Sequence, residues 1–144
     1  MKKLILFPVF IFLSSCISIP MSKEALINSG NRNSEFCTVQ QRLDVEANVE
    51  KYLSKCFRPN NLSINGANYS TNFTYSKEKS ESQTNYFVTM PMKGGTAYLF
   101  SVKVMQGENA CKTNVVSYAS MLTWAQNFKK IEESANGNVP GCAM

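Results

Sequence analysis

The chain of 144 residues contains no histidine, and it has a single aspartate, Asp44. The lack of histidine excludes Ser-His-Asp and Cys-His nucleophilic systems, imidazole general bases and metal sites with histidine ligands. A hydrolase with two carboxylates would have to use Asp44 or the glutamates. The sequence therefore favours a non-catalytic protein with no cofactor and no metal.

Long basic runs and internal repeats are missing as well. The 15 lysines and arginines are scattered along the chain, and no run of them exceeds two residues. The formal net charge of +5 is a mild excess. Because no basic stripe with interleaved aromatic residues is present, the sequence gives no support to nucleic-acid binding.

The first residues have the layout of a secretory signal. Lys2 and Lys3 supply a positive start, and a mostly apolar run follows over residues 4–12. This run is too short to cross a bilayer as a permanent helix, and Pro8 within it disfavours a persistent helix further. We therefore interpret the run as part of a leader that is removed.

Leu13, Ser14 and Ser15 directly precede Cys16, so one apolar and two small residues stand before a cysteine. This pattern resembles the lipobox of bacterial lipoproteins, and the resemblance covers residues 1–16 only. It implies that the leader is cut before Cys16, that the Cys16 thiol receives a diacylglycerol, and that the new amine is acylated, with palmitate as the expected chain. Two or three acyl chains give a stable membrane anchor, whereas a single chain binds only marginally.

The resemblance predicts the compartment and the signal peptide, while the weak periodicity of residues 17–36 predicts a tether and the remaining length predicts one domain. Residues 1–15 are the signal peptide, residues 16–36 a lipidated flexible tether, and residues 37–144 a single domain. Neither Ile17 nor Ser18 is the aspartate that retains many lipoproteins at the inner membrane, which implies the outer membrane, facing the periplasm. The alternative is a plain secreted protein in which Cys16 lies beside the leader by chance.

Hydrophobic periodicity predicts one helix, several strands and a final helix. A period near 3.6 over residues 38–57 predicts an amphipathic helix, and a period of two over residues 69–75 predicts a half-buried strand. Further strands are predicted at residues 85–90, 96–106 and 113–119, and a second helix at residues 120–137. This order favours an α+β two-layer sandwich, in which a three- or four-stranded antiparallel meander carries the N-terminal and C-terminal helices on one face, stabilised by disulfides.

The four cysteines other than Cys16 are Cys37, Cys56, Cys111 and Cys142. An even number without a Cys-x-x-Cys pair, in a chain expected to leave the cytoplasm, favours two disulfides over a metal site. A helix between Cys37 and Cys56 separates them by about 28 Å, whereas bridged Cα atoms lie within about 7 Å. The pairings left are Cys37–Cys111 with Cys56–Cys142, or Cys37–Cys142 with Cys56–Cys111. The meander favours the first, because it returns the Cys111 turn to the Cys37 end.

Arg42, Glu46 and Glu50 are spaced four apart on the first helix and project partly into its apolar side. Two carboxylates one turn apart repel each other unless Arg42 compensates their charge. The three residues are a candidate polar site at the edge between helix and sheet. The favoured alternative is a rim of snorkelling side chains with an ordinary Arg42–Glu46 ion pair.

Large aromatic residues are assigned to the core. Tyr98 and Phe100, two apart in the strand at residues 96–106, are both predicted to face it. Trp124 belongs to the apolar stripe of the final helix. It could also line a groove for a sugar or a peptide, but its spacing favours the core.

These observations lead to one hypothesis and two alternatives. The hypothesis is a lipoprotein of the cell envelope whose domain is a non-catalytic binding or structural accessory module. Its partners are the lipid bilayer, through acylated Cys16, and an envelope protein of unknown identity. The first alternative is a surface-displayed module that binds a host or competitor protein, and the second is an enzyme that uses glutamates without histidine.

Overall fold

The computed structural model describes residues 18–29, 33–64 and 67–143, except for the side chains of residues 60–69. The predicted signal peptide, residues 1–15, and the predicted lipidation site Cys16 lie outside the described residues. Within those residues, no helix has the length and apolar character needed to cross a membrane.

A five-stranded antiparallel sheet forms the centre of the domain. The described chain contains seven strands: β1 (Asn33–Thr38), β2 (Asn60–Ile64), β3 (Ala67–Thr71), β4 (Thr74–Lys79), β5 (Gln83–Met92), β6 (Gly95–Gln106) and β7 (Thr113–Ala119). Their order in the main sheet is β1-β7-β6-β5-β4, and β2 and β3 pair separately as a hairpin.

Two of the four described helices cover one face of this sheet. The helices are α1 (Lys23–Asn28), α2 (Arg42–Cys56), α3 (Leu122–Ala125) and α4 (Asn127–Ala135). Helix α2 buries Val45, Val49 and Leu53, one turn apart, against the sheet and α4. Strands and α4 complete the core with Tyr86, Val88, Phe100, Val102, Val104, Val115, Ala119, Ile131 and Ala135.

The predicted α+β class, the antiparallel meander and the two helices on one face are confirmed. The main sheet has five strands rather than three or four, because β1 pairs with β7 along its whole length. The strand predicted at residues 69–75 is interrupted at Asn72 and Phe73, so its first half belongs to the β2–β3 hairpin and its second half to β4.

The prediction of a flexible tether over residues 16–36 is wrong for the part that the structure describes. Helix α1 begins after Ser22, whose hydroxyl accepts a hydrogen bond of 3.0 Å from the Ala25 N–H. Its one buried side chain is Leu26. Lys23 pairs with Glu78 of β4 and lies over the ring of Phe87, so α1 covers the sheet face opposite α2. Residues 33–36 belong to β1.

A bulge between β5 and β6 decides which side chains face the helices. Phe100 and Tyr98 pair with consecutive residues of β5, so Leu99 is an extra residue in β6. One extra residue reverses the alternation of faces beyond it. The prediction that Tyr98 shares a face with Phe100 is therefore wrong. Tyr98 lies on the opposite face, where its ring packs edge-on against Phe87 with centroids 6.0 Å apart.

The predicted final helix is divided into α3 and α4 at Gln126. The Asn127 side chain donates a hydrogen bond of 3.1 Å to the Trp124 carbonyl, and such local bonds compete with continuous helix. Helix α4 ends before Gly137, as expected, and the positive φ of +89° at Gly137 suits a glycine that follows a helix.

Both predicted disulfides are present. They join Cys37 to Cys111 and Cys56 to Cys142, each with Cα atoms 5.5 Å apart. This is the pairing that the meander favours. The Cys56–Cys142 bond fastens the C-terminal tail to the end of α2, while the Cys37–Cys111 bond joins β1 to the β6–β7 turn.

Candidate functional site

The predicted polar site on α2 is a set of ion pairs between α2 and the edge strand β4. Glu46 is buried, and its carboxylate oxygens lie 3.3 Å from Arg42 Nε and 3.0 Å from Lys79 Nζ. Glu50 pairs with Lys77 instead, at 2.5 Å. The structure therefore brings Arg42 and Glu46 together but places Glu50 in a separate pair. We call these five residues the ion-pair cluster.

The geometry of the ion-pair cluster indicates a clamp rather than a reactive site. Glu46 Oε1 is close to Arg42 but has no hydrogen-bond donor among the described residues. Arg42 Nη1 donates a hydrogen bond of 2.6 Å to the Glu81 carbonyl beyond β4. Both Glu46 and Glu50 pair with lysines of β4, so the two carboxylates join α2 to the edge of the sheet.

A pocket lies where the end of α2 meets the α3–α4 junction and the β3–β4 connection. Its volume is about 410 Å³, within the range of roughly 300–1,000 Å³ that is common for small-molecule sites. The lining residues are Lys55, Cys56, Phe57, Arg58, Thr71, Phe73, Thr123, Trp124, Gln126, Asn127, Cys142 and Ala143.

Three aromatic rings from different elements form one wall of the pocket. The Trp124 centroid lies 5.8 Å from that of Phe57 and 5.2 Å from that of Phe73, and the second pair is T-shaped. Phe57 ends α2, Phe73 lies in the gap between β3 and β4, and Trp124 belongs to α3. Because Trp124 and Phe73 are only half-buried, part of each ring remains available to a ligand.

Hydrogen bonds fix the inner side of the pocket. The buried Asn127 accepts a bond of 2.7 Å from the Tyr52 hydroxyl and donates one to the Trp124 carbonyl. Burial raises the pKa of Tyr52, so its hydroxyl keeps its proton and remains a donor. The Cys56–Cys142 disulfide holds the C-terminal tail beside these residues. The aromatic wall is thus pre-formed.

The pocket carries positive charge that no carboxylate of the described residues balances. Lys55 and Arg58 are exposed at its rim, and the Lys55 ammonium donates a bond of 3.3 Å to the Pro140 carbonyl. Across the described chain, neither cation forms an ion pair, and the pocket lining includes no acidic residue. An aromatic wall beneath two cations fits an apolar group with an anionic substituent.

The sequence predicts the α2 part of the ion-pair cluster, Arg42, Glu46 and Glu50, but neither its lysines nor this pocket. Trp124 does pack against the core, as predicted, yet it also lines the pocket. The three rings are brought together from distant segments by the β3–β4 break, which the regular alternation over residues 69–75 conceals. One local signal was present, since Lys55 and Arg58 bracket Phe57 at the end of a helix.

No grouping of three or more cysteine, aspartate or glutamate side chains among the described residues is suited to a metal ion. No protein family, curated protein or solved structure matches the chain. The features that bear on function are therefore the leader pattern, the disulfides and the pocket.

Proposed function

We propose that this protein is a lipoprotein of the bacterial cell envelope, anchored by acylated Cys16 in the outer membrane and facing the periplasm. Its domain serves as a non-catalytic binding module. The pattern of residues 1–16 supports the anchor. The two disulfides support a compartment outside the cytoplasm, where such bonds form and persist.

The observation that carries the binding role is the pocket with its unopposed cations. In the ion-pair cluster, each lysine or arginine side chain pairs with a carboxylate. Beside the pocket, Lys55 and Arg58 have no such match among the described residues, although they flank three aromatic rings. We take the ligand to be an amphiphilic anion, whose apolar part contacts the rings and whose charge approaches the cations.

The anchor is tested by metabolic labelling with palmitate and by detergent phase partition. Wild type should incorporate the label and partition with the detergent, whereas Cys16→Ala should do neither. A mature wild-type chain that is free of lipid and stays in the aqueous phase would contradict the anchor and favour a plain secreted protein.

The binding role is tested with two fluorescent probes of nearly the same shape. Anilinonaphthalene sulfonate is anionic, and N-phenylnaphthylamine is its uncharged analogue. Trp124 is the only tryptophan, so quenching of its emission reports occupancy of this pocket. We expect saturable quenching by both probes, with tighter binding of the anion.

Matched variants decide whether the two cations select the anion. An exposed charge pair contributes about 0.2–1 kcal/mol, or roughly 1.4- to 5-fold in affinity. The double substitution Lys55→Gln with Arg58→Gln should therefore remove most of the preference for the sulfonate. The substitution Lys112→Gln, at an exposed position of the β6–β7 turn, should leave it unchanged. Equal binding of both probes to wild type contradicts the proposed ligand class.

A further inference from the structure

The N-terminal segment is fixed to the sheet a few residues after the proposed lipidation site. The Tyr98 N–H donates a hydrogen bond of 2.8 Å to the Pro20 carbonyl, and Pro20 is buried. The Tyr98 N–H is available for this bond because β7 ends at Ala119, opposite Phe100, and does not reach Tyr98. Pro20 thus lies beside β6 at the point where β7 stops.

The length of chain before Pro20 limits how far the domain lies from the bilayer. Four residue steps separate Cys16 from Pro20, and an extended chain spans at most about 3.3–3.6 Å per residue, or about 14 Å in all. A free coil of about twenty residues would allow roughly 25 Å and any orientation. With Pro20 fixed to β6, an acylated Cys16 holds this end of the sheet near the membrane.

Exposed apolar and basic side chains lie at the same end. Met21 is 46% exposed and Met92 is 40% exposed. Met92 pairs with Gly95, and a Cβ at Gly95 would lie only 3.1 Å from Met21 Cε, so both methionines lie beside Gly95. Lys93 is exposed in the turn between Met92 and Gly95.

We propose that the end of the sheet formed by Met21, Met92 and Lys93 rests on the lipid bilayer, so that the domain has one fixed orientation on the membrane. This inference rests on the proposed lipidation of Cys16. The acyl chains supply the affinity. The methionines enter the interface, and Lys93 attracts anionic head groups, which together set the orientation.

The orientation brings the pocket close to the membrane. Phe73, in the pocket wall, directly precedes Thr74. Thr74 and Tyr98 both pair with Thr89, so the pocket and the fixed N-terminal segment occupy the same end of the sheet. Amphiphilic anions at the bilayer surface are therefore within reach of the pocket.

Lysine labelling of the intact protein tests the orientation. The lipidated protein is reconstituted into vesicles of phosphatidylethanolamine and phosphatidylglycerol, and its reaction with a water-soluble N-hydroxysuccinimide ester is mapped by mass spectrometry. Lys112 is the internal control, since the length of β6 separates it from Lys93 by about 35 Å. Lys93 should react several-fold more slowly on vesicles than in the unanchored Cys16→Ala protein, and Lys112 should react equally in both.

A variant with a longer linker separates the short tether from the anchor. Insertion of about twenty Gly and Ser residues between Ile17 and Ser18 keeps the lipidation site but frees the domain. Lys93 should then react nearly as fast as in the Cys16→Ala protein, while vesicle binding persists.

Two outcomes of these experiments distinguish a wrong orientation from a wrong anchor. Equal labelling of Lys93 on vesicles and in solution, with acyl chains found on Cys16, overturns the orientation and leaves the proposed anchor intact. A mature chain without acyl groups that does not bind vesicles overturns the anchor, and the orientation with it.

Discussion

The two ends of helix α2 carry charge in opposite ways. Near its start, the buried Glu46 is compensated by Arg42 and Lys79. Near its C-terminal end, Lys55 and Arg58 flank an aromatic pocket, and neither has a carboxylate partner in the described part of the chain. The first arrangement joins the helix to the sheet, while the second leaves a positive field over a concave apolar surface. The compensated charges therefore have a structural role, and the proposed binding role depends on the uncompensated charges beside the pocket.

The two disulfides also lie towards opposite ends of α2. The Cys37–Cys111 bond lies at the end of the sheet where α2 begins, and the Cys56–Cys142 bond forms part of the pocket. Their sequence separations, 74 and 86, are similar. In the chain-entropy description the two bonds should therefore stabilise the fold almost equally, within about 0.1 kcal/mol. They differ in the segments that they join: one fastens β1 to the β6–β7 turn, and the other fastens the C-terminal tail to the pocket.

The largest expected effect is the removal of either disulfide. Replacing Cys56 and Cys142 with serine should lower the free energy of unfolding by about 2–4 kcal/mol and weaken binding of anilinonaphthalene sulfonate, because the tail leaves the pocket. Replacing Cys37 and Cys111 with serine should cost a similar amount and preserve binding. Urea unfolding and Trp124 quenching measure the two quantities. If both double variants remain folded and lose probe binding equally, the two ends of α2 do not have separate roles in binding.

The next effect in size concerns the buried carboxylate. Glu46→Gln should destabilise the fold by about 1–3 kcal/mol, because Arg42 loses its partner in a largely buried position. The value stays below that of a fully buried pair, since Lys79 is half-exposed and is hydrated once freed.

Glu50→Gln is the matched control for this charge removal. The Glu50 and Lys77 side chains are both about one-third exposed, so the substitution should cost at most about 1 kcal/mol. Neither variant should alter probe binding, as followed by Trp124 quenching. Weaker binding in a folded Glu46→Gln protein would assign the ion-pair cluster a role in the binding site.

The parts of this fold that could be predicted are those with a regular local pattern. The stripe of Val45, Val49 and Leu53 defines the face of α2. The same periodicity places Arg42 and Glu46 one turn apart, so their ion pair follows from spacing alone. Given the helix and the meander, the reach of a disulfide leaves few pairings.

The parts that could not be predicted depend on partners distant in sequence. The sequence of β1 resembles a polar linker, because this strand is held by backbone pairing with β7 and by the Cys37–Cys111 bond. Helix α1 buries one side chain, Leu26, and contacts the sheet through Lys23. The extra residue Leu99 reverses a strand face without any local signal. The pocket arises only when Phe57, Phe73 and Trp124 meet.

A smaller effect is expected when the pocket cations are removed. The double substitution Lys55→Gln with Arg58→Gln should change the free energy of unfolding by no more than about 0.5 kcal/mol, because both side chains are exposed. Urea unfolding measures this value beside that of Glu46→Gln. A loss as large as that of Glu46→Gln would show that Lys55 and Arg58 also stabilise the fold, and the contrast between the two ends of α2 would disappear.

Salt distinguishes the two kinds of charge without any substitution at the pocket. The screening length falls from about 10 Å at 0.1 M to about 3 Å at 1 M ionic strength, and exposed charges are screened far more than buried ones. Added sodium chloride should therefore bring the affinity for anilinonaphthalene sulfonate towards that of its neutral analogue. The stability difference between wild type and Glu46→Gln should persist in the same buffer, because Glu46 is buried. A preference for the anion that is insensitive to salt would mean that the sulfonate is bound away from Lys55 and Arg58, by groups shielded from solvent.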